Sequence, residues 1–233
     1  MITVTALASS SKGNAYQISD GTTTLLLEAG IPFKEIQRRL NYKTSSITAA
    51  LISHSHNDHC KAVPDVMKAG IDCYMSQGTA EAIGVTSHRV KTINAQQQFQ
   101  IGTWTILPFE TQHDCPGSMG FLLANQAGEK LFFATDTYYV KYKFVGLSII
   151  MVECNYALDI LIANVESGLV DEAQKNRLLQ SHFSLDHVKE FLKANDLSQV
   201  SEIHLMHLSD QNSDADRFAN EIRELTGRPT YVC

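Results

Sequence analysis

The sequence predicts an α/β fold, organised as one domain over residues 1–233. Apolar, β-strand-like runs fill the first part of the chain. In the second part such runs alternate with stretches of helical spacing, a pattern typical of α/β proteins. No linker rich in proline, glycine or serine, no repeat and no low-complexity stretch interrupts the sequence. With 44% hydrophobic residues among 233, the chain can bury a full core without disulfide bonds.

The strands are predicted from short apolar runs that end at turn residues. In chain order, they are expected at 2–7, 15–19, 23–27, 49–53, 71–75, 88–93, 99–101, 104–109, 119–124, 130–135, 147–153, 202–206 and 229–232. Asp20-Gly21 predicts a hairpin between the second and third strands. We interpret the strands between 88 and 135 as an antiparallel run.

The helices are predicted from apolar residues at helical spacing and from residues that begin or end a helix. They are expected at 33–41, 61–69, 79–83, 159–164, 171–180, 185–194 and 214–225. Pro32 suits the first turn of the first helix, and Gly70 is a suitable end for the second. Ser184 is the expected N-cap of the helix at 185–194.

The composition indicates which cellular compartment and which partners to expect. The net charge of −6 does not indicate a general nucleic-acid binder. The five cysteines are odd in number and form no CxxC pair, which favours free thiols in a reducing compartment. Cys60 and Cys115 adjoin candidate ligands, and either could line a site. The start of the chain lacks the features of a signal peptide, and no run reaches transmembrane length. We therefore expect a cytoplasmic protein with no membrane partner.

A cluster of metal-binding residue types follows the predicted strand at 49–53. His54, His56, Asp58 and His59 place three imidazoles and a carboxylate within six positions. These are ligand types that zinc and similar divalent metals prefer. His54 and His56 are two apart and point to one side of a strand end, whereas Asp58 and His59 follow at a turn. The cluster can therefore serve two metal ions. A polar loop with a chance run of histidines is the alternative, but such loops favour serine, asparagine and glycine.

Further candidate ligands lie where other predicted strands end. His113 follows the strand at 104–109, Asp136 ends the strand at 130–135, and His207 ends the strand at 202–206. Each one alone is more often a hydrogen-bonded loop or core residue. Together with the cluster, the three residues supply the further ligands that a two-metal site needs.

This pattern resembles the metallo-β-lactamase superfamily over almost the whole chain. The residues that carry the resemblance are His-x-His-x-Asp-His at 54–59, followed by His113, Asp136 and His207. Within the superfamily the sequence most resembles the WalJ/YycJ-like group of phage and bacterial metallohydrolases, through the stretches 9–14, 153–156, 181–184 and 206–209. The resemblance implies a four-layer αβ/βα sandwich, with two mixed β-sheets flanked by helices and the metals at one edge of the sheets.

The resemblance also implies a role for each ligand. The implied first-metal ligands are His54, His56 and His113, the implied second-metal ligands are Asp58, His59 and His207, and Asp136 is the implied bridge. Two divalent ions roughly 3.5–4 Å apart can share one hydroxide, which becomes the nucleophile. Zn²⁺ suits the imidazoles, and the carboxylates also admit Mn²⁺ or Fe²⁺. Glu28 stands where the superfamily usually has an aspartate that orients ligands.

Residues beyond the ligands are assigned to catalysis and substrate binding. Asp58 and His182 are the candidate catalytic residues; His182 could contact the scissile phosphate or protonate the leaving group, or it could help to cap the helix that follows it. The candidate substrate-binding residues are Lys12, Lys141, Lys143 and Asn155. Tyrosines interleaved with the lysines at 138–143 could stack on bases, or could pack beneath a solvated loop.

The resulting functional hypothesis is a dinuclear metal-dependent hydrolase, with DNA as the substrate of a phosphodiesterase or exonuclease activity. The alternative is a small-molecule hydrolase for a phosphodiester, lactone or thioester. A third hypothesis is a non-catalytic metal-binding or partner-docking module, which the complete ligand set argues against.

Overall fold

The computed structural model of the protein describes residues 1–233, and its strands form two mixed β-sheets flanked by helices. This confirms the predicted fold class. The chain divides into two compact units. Unit 1 comprises Met1–Glu110 and Cys115–Glu129, and unit 2 comprises Thr111–Asp114 and Lys130–Cys233. Organisation as a single domain over residues 1–233 stays a prediction.

Unit 1 contains most of the strands and four short helices. Its strands are β1 (Thr3–Ala8), β2 (Ala15–Ser19), β3 (Thr24–Leu27), β4 (Ile47–Leu51), β5 (Asp72–Met75), β6 (Val90–Thr92), β7 (Phe99–Ile101), β8 (Trp104–Glu110) and β9 (Met119–Ala124). Its helices are α1 (Phe33–Arg39), α2 (Asn57–Cys60), α3 (Val63–Lys68) and α4 (Gln77–Ile83), with a 3₁₀ turn at Thr44–Ser46.

The first six strands form one sheet in the order β1-β2-β3-β4-β5-β6. The pairs β1–β2 and β2–β3 are antiparallel, and the pairs from β3 to β6 are parallel. The assignment of residues 88–93 to an antiparallel run was therefore wrong. Helix α4 connects β5 to β6, and a crossover of this kind returns the chain parallel to the strand it left. The strands β7, β8 and β9 are antiparallel as predicted.

The buried strand β4 explains how unit 1 positions its polar residues. The side chains of Ala49, Ala50 and Leu51 are buried, as expected of a strand with a parallel neighbour on each side. Ala50 belongs to a core in which helices α1 and α3 cover the sheet, for example through Ile36 and Val66. The residues directly after Leu51 therefore extend from a buried and rigid strand.

The segment after β4 differs from the prediction. The helix expected at 61–69 is the shorter α3 (Val63–Lys68), and a further helix that was not predicted, α2 (Asn57–Cys60), begins within the histidine cluster. Pro64 lies in the first turn of α3, where its missing N–H does no harm, whereas it could not continue a helix from α2 without losing a hydrogen bond. Asp58 and His59 therefore lie on a helical turn.

Unit 2 combines parallel strands with longer helices. Its strands are β10 (Lys130–Ala134), β11 (Ile149–Glu153), β12 (Glu202–Met206) and β13 (Thr230–Val232), and its helices are α5 (Leu158–Glu166), α6 (Glu172–Ser181), α7 (Leu185–Ala194) and α8 (Ala215–Thr226). The strands pair in this order and all are parallel. Asp171, Ser184 and Asp214 cap the last three helices by accepting a backbone N–H. None of the helices combines the length and the hydrophobicity that a membrane crossing requires.

Candidate metal centre

The histidine cluster of unit 1 brings three imidazole rings together. The ring of His54 lies 4.9 Å from that of His56 and 4.1 Å from that of His59, measured between centroids. His54 and His59 are buried, and His56 is partly exposed at the N-terminus of α2. His59 Nε2 also lies 3.4 Å from a carboxylate oxygen of Asp58. The strand end and the short helix thus gather four donor side chains, and their role as metal ligands stays a prediction.

Glu28 lies directly beneath this cluster. It follows β3, and its side chain is fully buried. One carboxylate oxygen accepts the backbone N–H of Ser53 at 3.2 Å, and the other lies 3.6 Å from His59 Nδ1. Burial away from water raises the pKa of the Glu28 carboxyl. Glu28 therefore contacts both the backbone that leads into the cluster and the ring of His59, and its role in orienting a metal ligand stays a prediction.

Asn14 is a buried support that the sequence alone did not single out. Its backbone N–H donates to the carbonyl of Asp58 at 2.8 Å, and its amide nitrogen lies 3.2 Å from His59 Nε2. Gly30 approaches the same carbonyl so closely that a Cβ would lie 1.6 Å from the oxygen. Asn14 belongs to the stretch 9–14 that carries the family resemblance, but an asparagine after a serine-rich turn and a glycine after β3 are common in ordinary turns and indicate no contact with His59.

Cys115 also belongs to the donor cluster of unit 1. Ligand atoms of His54, His56 and Cys115 lie within 4.8 Å of one another. Cys115 is partly exposed and forms no disulfide. From the sequence it was expected beside the candidate ligands, where it could line a site.

Unit 2 has its own cluster, built at the carboxyl ends of its parallel strands. Ligand atoms of Asp136, Glu153, His182 and His207 lie within 4.8 Å of one another. Asp136, Glu153 and His207 come from the ends of β10, β11 and β12, which meet at one edge of the sheet. His207 Nδ1 and an Asp136 oxygen are 2.6 Å apart.

His182 is held by a buried carboxylate. Its Nδ1 lies 2.5 Å from Glu153 Oε1, while Glu153 Oε2 accepts the backbone N–H groups of Thr137 and Phe183 at 3.1 Å each. Glu153 is fully buried and His182 is 13% exposed. The N-cap of α7 is Ser184, whose hydroxyl accepts the N–H of His187. The imidazole of His182 is thus fixed by Glu153 and leaves Nε2 as its other functional atom.

His113 is oriented in a similar way. Its Nδ1 donates to the carbonyl of Ser181 at 3.0 Å, because a carbonyl can only accept. Its Nε2 lies 3.8 Å from an Asp136 oxygen. Burial lowers the pKa of the His113 imidazole, which favours the neutral ring. A neutral imidazole that donates from Nδ1 presents the lone pair of Nε2, as a metal ligand must.

The candidate substrate residues differ in exposure. Asn155 is buried, and its amide donates to the backbone carbonyl of His207 at 2.9 Å. Lys12 in unit 1 and Lys141 and Lys143 in unit 2 are exposed. Lys141 Nζ lies 5.1 Å from the ring centroid of Tyr142. Asn155 therefore braces a candidate ligand, whereas the lysines are available to solvent; their roles towards a substrate stay predictions.

The donor chemistry fits divalent metal ions. Imidazole and carboxylate donors, several of them buried, converge at the end of β4 in unit 1 and at the strand ends of unit 2. Buried carboxylates without a cation in contact are costly, and a bound divalent ion relieves this cost. The histidine and aspartate clusters thus have the composition of a site for hard or borderline divalent ions.

Comparisons with known proteins agree with this assignment. The family model described as "Beta-lactamase superfamily domain" matches residues 23–208. Exodeoxyribonuclease WalJ from Streptococcus pneumoniae is 29% identical in sequence, with 89% of this chain and 81% of the relative covered.

Solved structures show the same fold at low sequence identity. The metallo-β-lactamase fold protein YhfI from Bacillus subtilis has a TM-score of 0.75 at 15% identity, and the match covers 100% of this chain and 96% of the YhfI chain. A diphosphatase from the PhnP family has a TM-score of 0.69 at 13% identity, with 100% and 95% covered. The short form of human tRNase Z has a TM-score of 0.68 at 15% identity, with 100% and 96% covered.

Proposed function

The chain belongs to the β-lactamase superfamily, a family of metal-binding hydrolases, and on that premise we propose that it is a dinuclear phosphodiesterase that degrades DNA as an exonuclease. The observation that carries the proposal is the cluster of Asp136, Glu153, His182 and His207. Two of these are candidate metal ligands. The other two form a carboxylate–imidazole pair suited to moving a proton.

The proposed ligands are those that the sequence assigned to two metal ions. His54, His56 and His113 would hold one divalent ion, Asp58, His59 and His207 would hold the other, and Asp136 would contact both. When bound, such a pair supplies a water nucleophile at neutral pH and neutralises charge on the reacting phosphate. Zn²⁺ is the proposed metal, with Mn²⁺ or Fe²⁺ as alternatives.

The protein's own residues supply orientation and a proton. Glu28 lies beside Nδ1 of His59, and Ser181 accepts from Nδ1 of His113, so both rings are oriented before a metal arrives. Glu153 accepts from His182 Nδ1, which leaves Nε2 to exchange a proton with the leaving oxygen of the phosphodiester or to contact the phosphate. Asp58 would contribute to catalysis through its contact with a metal ion.

The substrate class is inferred from the relative and from the surface of unit 2. The printed name of the relative is an exodeoxyribonuclease, and it aligns with most of this chain. In unit 2, Tyr138 and Tyr139 are exposed beside Lys141 and Lys143. Exposed aromatic rings stack on bases and lysines pair with phosphates, so this segment suits a single strand of DNA. Lys12 is proposed as a further phosphate contact.

The test is metal-dependent cleavage of DNA. End-labelled single- and double-stranded DNA would be incubated with the protein and Zn²⁺ or Mn²⁺. His56→Ala and His182→Ala should abolish or strongly reduce stepwise product formation. His88→Ala changes an exposed histidine and should cleave like the wild type. Absence of metal-dependent cleavage of either DNA form would remove the nuclease assignment.

The same preparations separate the alternatives. Hydrolysis of bis(p-nitrophenyl) phosphate without cleavage of DNA would favour a small-molecule phosphodiesterase. Metal analysis of purified protein should find two ions per chain. Less than one ion per chain after metal loading would contradict the dinuclear proposal and favour a non-catalytic module.

A further inference from the structure

The thiol of Cys115 lies among imidazoles that the proposed function assigns to a metal. Its sulfur and donor nitrogens of His54 and His56 are within 4.8 Å of one another. Zinc–nitrogen bonds are about 2.0–2.1 Å and zinc–sulfur bonds about 2.3 Å, so one ion could bind all three donors once they draw slightly closer together. Three donors of this kind form a nitrogen–sulfur set, which differs from the all-imidazole and carboxylate set implied by the ligand motif.

The backbone fixes Cys115 in this place from the side of β9. Met119 donates its N–H to the carbonyl of Ser53 at 3.1 Å, which ties the start of β9 to the residue before His54. Gly117 has a φ of +72°, and a Cβ there would lie 2.4 Å from the hydroxyl of Ser76. The loop that carries Cys115 is therefore joined to the residue before His54 through Met119 and packed closely against Ser76.

The neighbouring thiol has a different environment. Cys60 is buried, and its Sγ donates to the carbonyl of Ser55 at 3.1 Å. That hydrogen bond requires the protonated thiol. Cys60 belongs to none of the groups of converging donors, whereas Cys115 does. The two cysteines thus form a matched pair for experiment, with one beside the imidazoles and one bonded to the backbone.

We propose that Cys115 binds the metal ion held by His54 and His56 as a thiolate and makes this position selective for Zn²⁺. Thiolate ligands favour Zn²⁺ over the harder Mn²⁺, whereas imidazole and carboxylate ligands discriminate less. This inference rests on the proposed metal centre, but it adds a ligand and decides the metal at one of the two positions. Metal binding displaces the thiol proton to solvent, and no oxidant or reductant is needed.

The test uses Co²⁺, which reports thiolate ligation by an intense near-ultraviolet charge-transfer band. Metal-free wild type, Cys115→Ser and Cys60→Ser would each be titrated with Co²⁺. The band should develop in the wild type and in Cys60→Ser, and it should be lost in Cys115→Ser. X-ray absorption of the zinc-loaded wild type should show a sulfur neighbour at about 2.3 Å that Cys115→Ser lacks.

The outcomes are separable from those of the proposed function. Binding of Co²⁺ by the wild type without the band, or a band that persists in Cys115→Ser, would overturn the role of Cys115 and leave the metal centre intact. Absence of any bound Co²⁺ would overturn both. If Cys115→Ser does not fold, alkylation of the wild type decides: Zn²⁺ should slow the reaction of Cys115 with iodoacetamide, and an unchanged rate would refute the proposal.

Discussion

Replacing Glu153 with glutamine is the sharpest test of how His182 works. The carboxylate has two tasks: Oε2 accepts the N–H groups of Thr137 and Phe183, and Oε1 binds His182 Nδ1 at 2.5 Å. In the Glu153→Gln variant, the amide oxygen of the new side chain can keep both backbone bonds. The NH₂ group of that side chain then faces Nδ1, so the imidazole must accept at Nδ1 and carry its proton on Nε2.

The expected magnitude follows from the bond that is lost. Hydrogen bonds to charged groups contribute about 1.5–3 kcal/mol. Since about 1.36 kcal/mol corresponds to a tenfold change in rate, Glu153→Gln should lower kcat by about 10- to 160-fold. The fold should survive, because the substitution preserves side-chain volume and the two backbone hydrogen bonds.

The assay is single-turnover cleavage of end-labelled DNA at saturating metal, with metal content measured on the same samples. Glu166→Gln, an exposed residue of α5, is the matched control and should cleave at the wild-type rate. The double variant Glu153→Gln/His182→Ala should be no slower than His182→Ala alone, because Glu153 acts through His182.

Two results would refute this reasoning. A Glu153→Gln protein that cleaves at the wild-type rate would show that the orientation of His182 is irrelevant to the reaction. A slow variant that has also lost bound metal would show that Glu153 helps to hold an ion, because His207 Nδ1 lies only 3.7 Å from Glu153 Oε1.

Three further predictions concern packing, substrate contact and thiol chemistry. In Gly30→Ala the new Cβ would lie 1.6 Å from the Asp58 carbonyl oxygen. Calorimetry should therefore show that the free energy of unfolding falls by at least about 1–3 kcal/mol, and metal titration should show weaker binding. An unchanged melting temperature would contradict the close approach. Lys141→Ala/Lys143→Ala should reduce the slope of log affinity for single-stranded DNA against log salt by about 1.4, and an unchanged slope would exclude both lysines from phosphate contact. Burial raises the pKa of Cys73 from 9.0 to about 12, so its thiolate at pH 8 is about 1,000-fold rarer than that of an ordinary cysteine. Iodoacetamide should therefore modify Cys73 only after unfolding, as mass spectrometry can verify, and modification of the native protein would contradict its burial.

The fold was predictable where local signals were strong. The strands at 15–19, 99–101, 119–124 and 202–206 and the helix at 185–194 have the predicted bounds. Turn residues and the Ser184 cap mark these ends locally. The pairing of β6 was not predictable in this way, because a short strand looks alike whether it joins a parallel or an antiparallel neighbour. Its partner is set by the path of α4, which is a matter of tertiary structure.

The candidate ligands could be predicted from the sequence, whereas most of the residues that contact and orient them could not. His54, His56, Asp58 and His59 form a dense local motif, so the sequence alone marks them. Glu153 and His182 lie 29 positions apart, and no local pattern connects a carboxylate at the end of β11 with an imidazole at the end of α6. Asn14 reaches His59 over 45 positions. Supports of this kind depend on contacts between distant segments, and a single sequence does not encode them locally.

Three of the candidate site residues share an unusual left-handed backbone conformation at the end of a strand. Glu28, Asp136 and His207 follow β3, β10 and β12, and their φ angles are 63°, 42° and 52°. Left-handed conformations are costly for residues with a side chain, by about 1–3 kcal/mol each, and glycine would avoid the cost. Glycine would also remove the carboxylates and the imidazole that the strand ends present. The chain keeps this strained conformation at the ends of three strands, and each of the three residues carries a group that can bind a metal ion or orient a ligand. Function therefore explains the strain best. The sequence signal for it was a charged or imidazole side chain at the end of an apolar run, where a chain built only for stability would turn on glycine or asparagine.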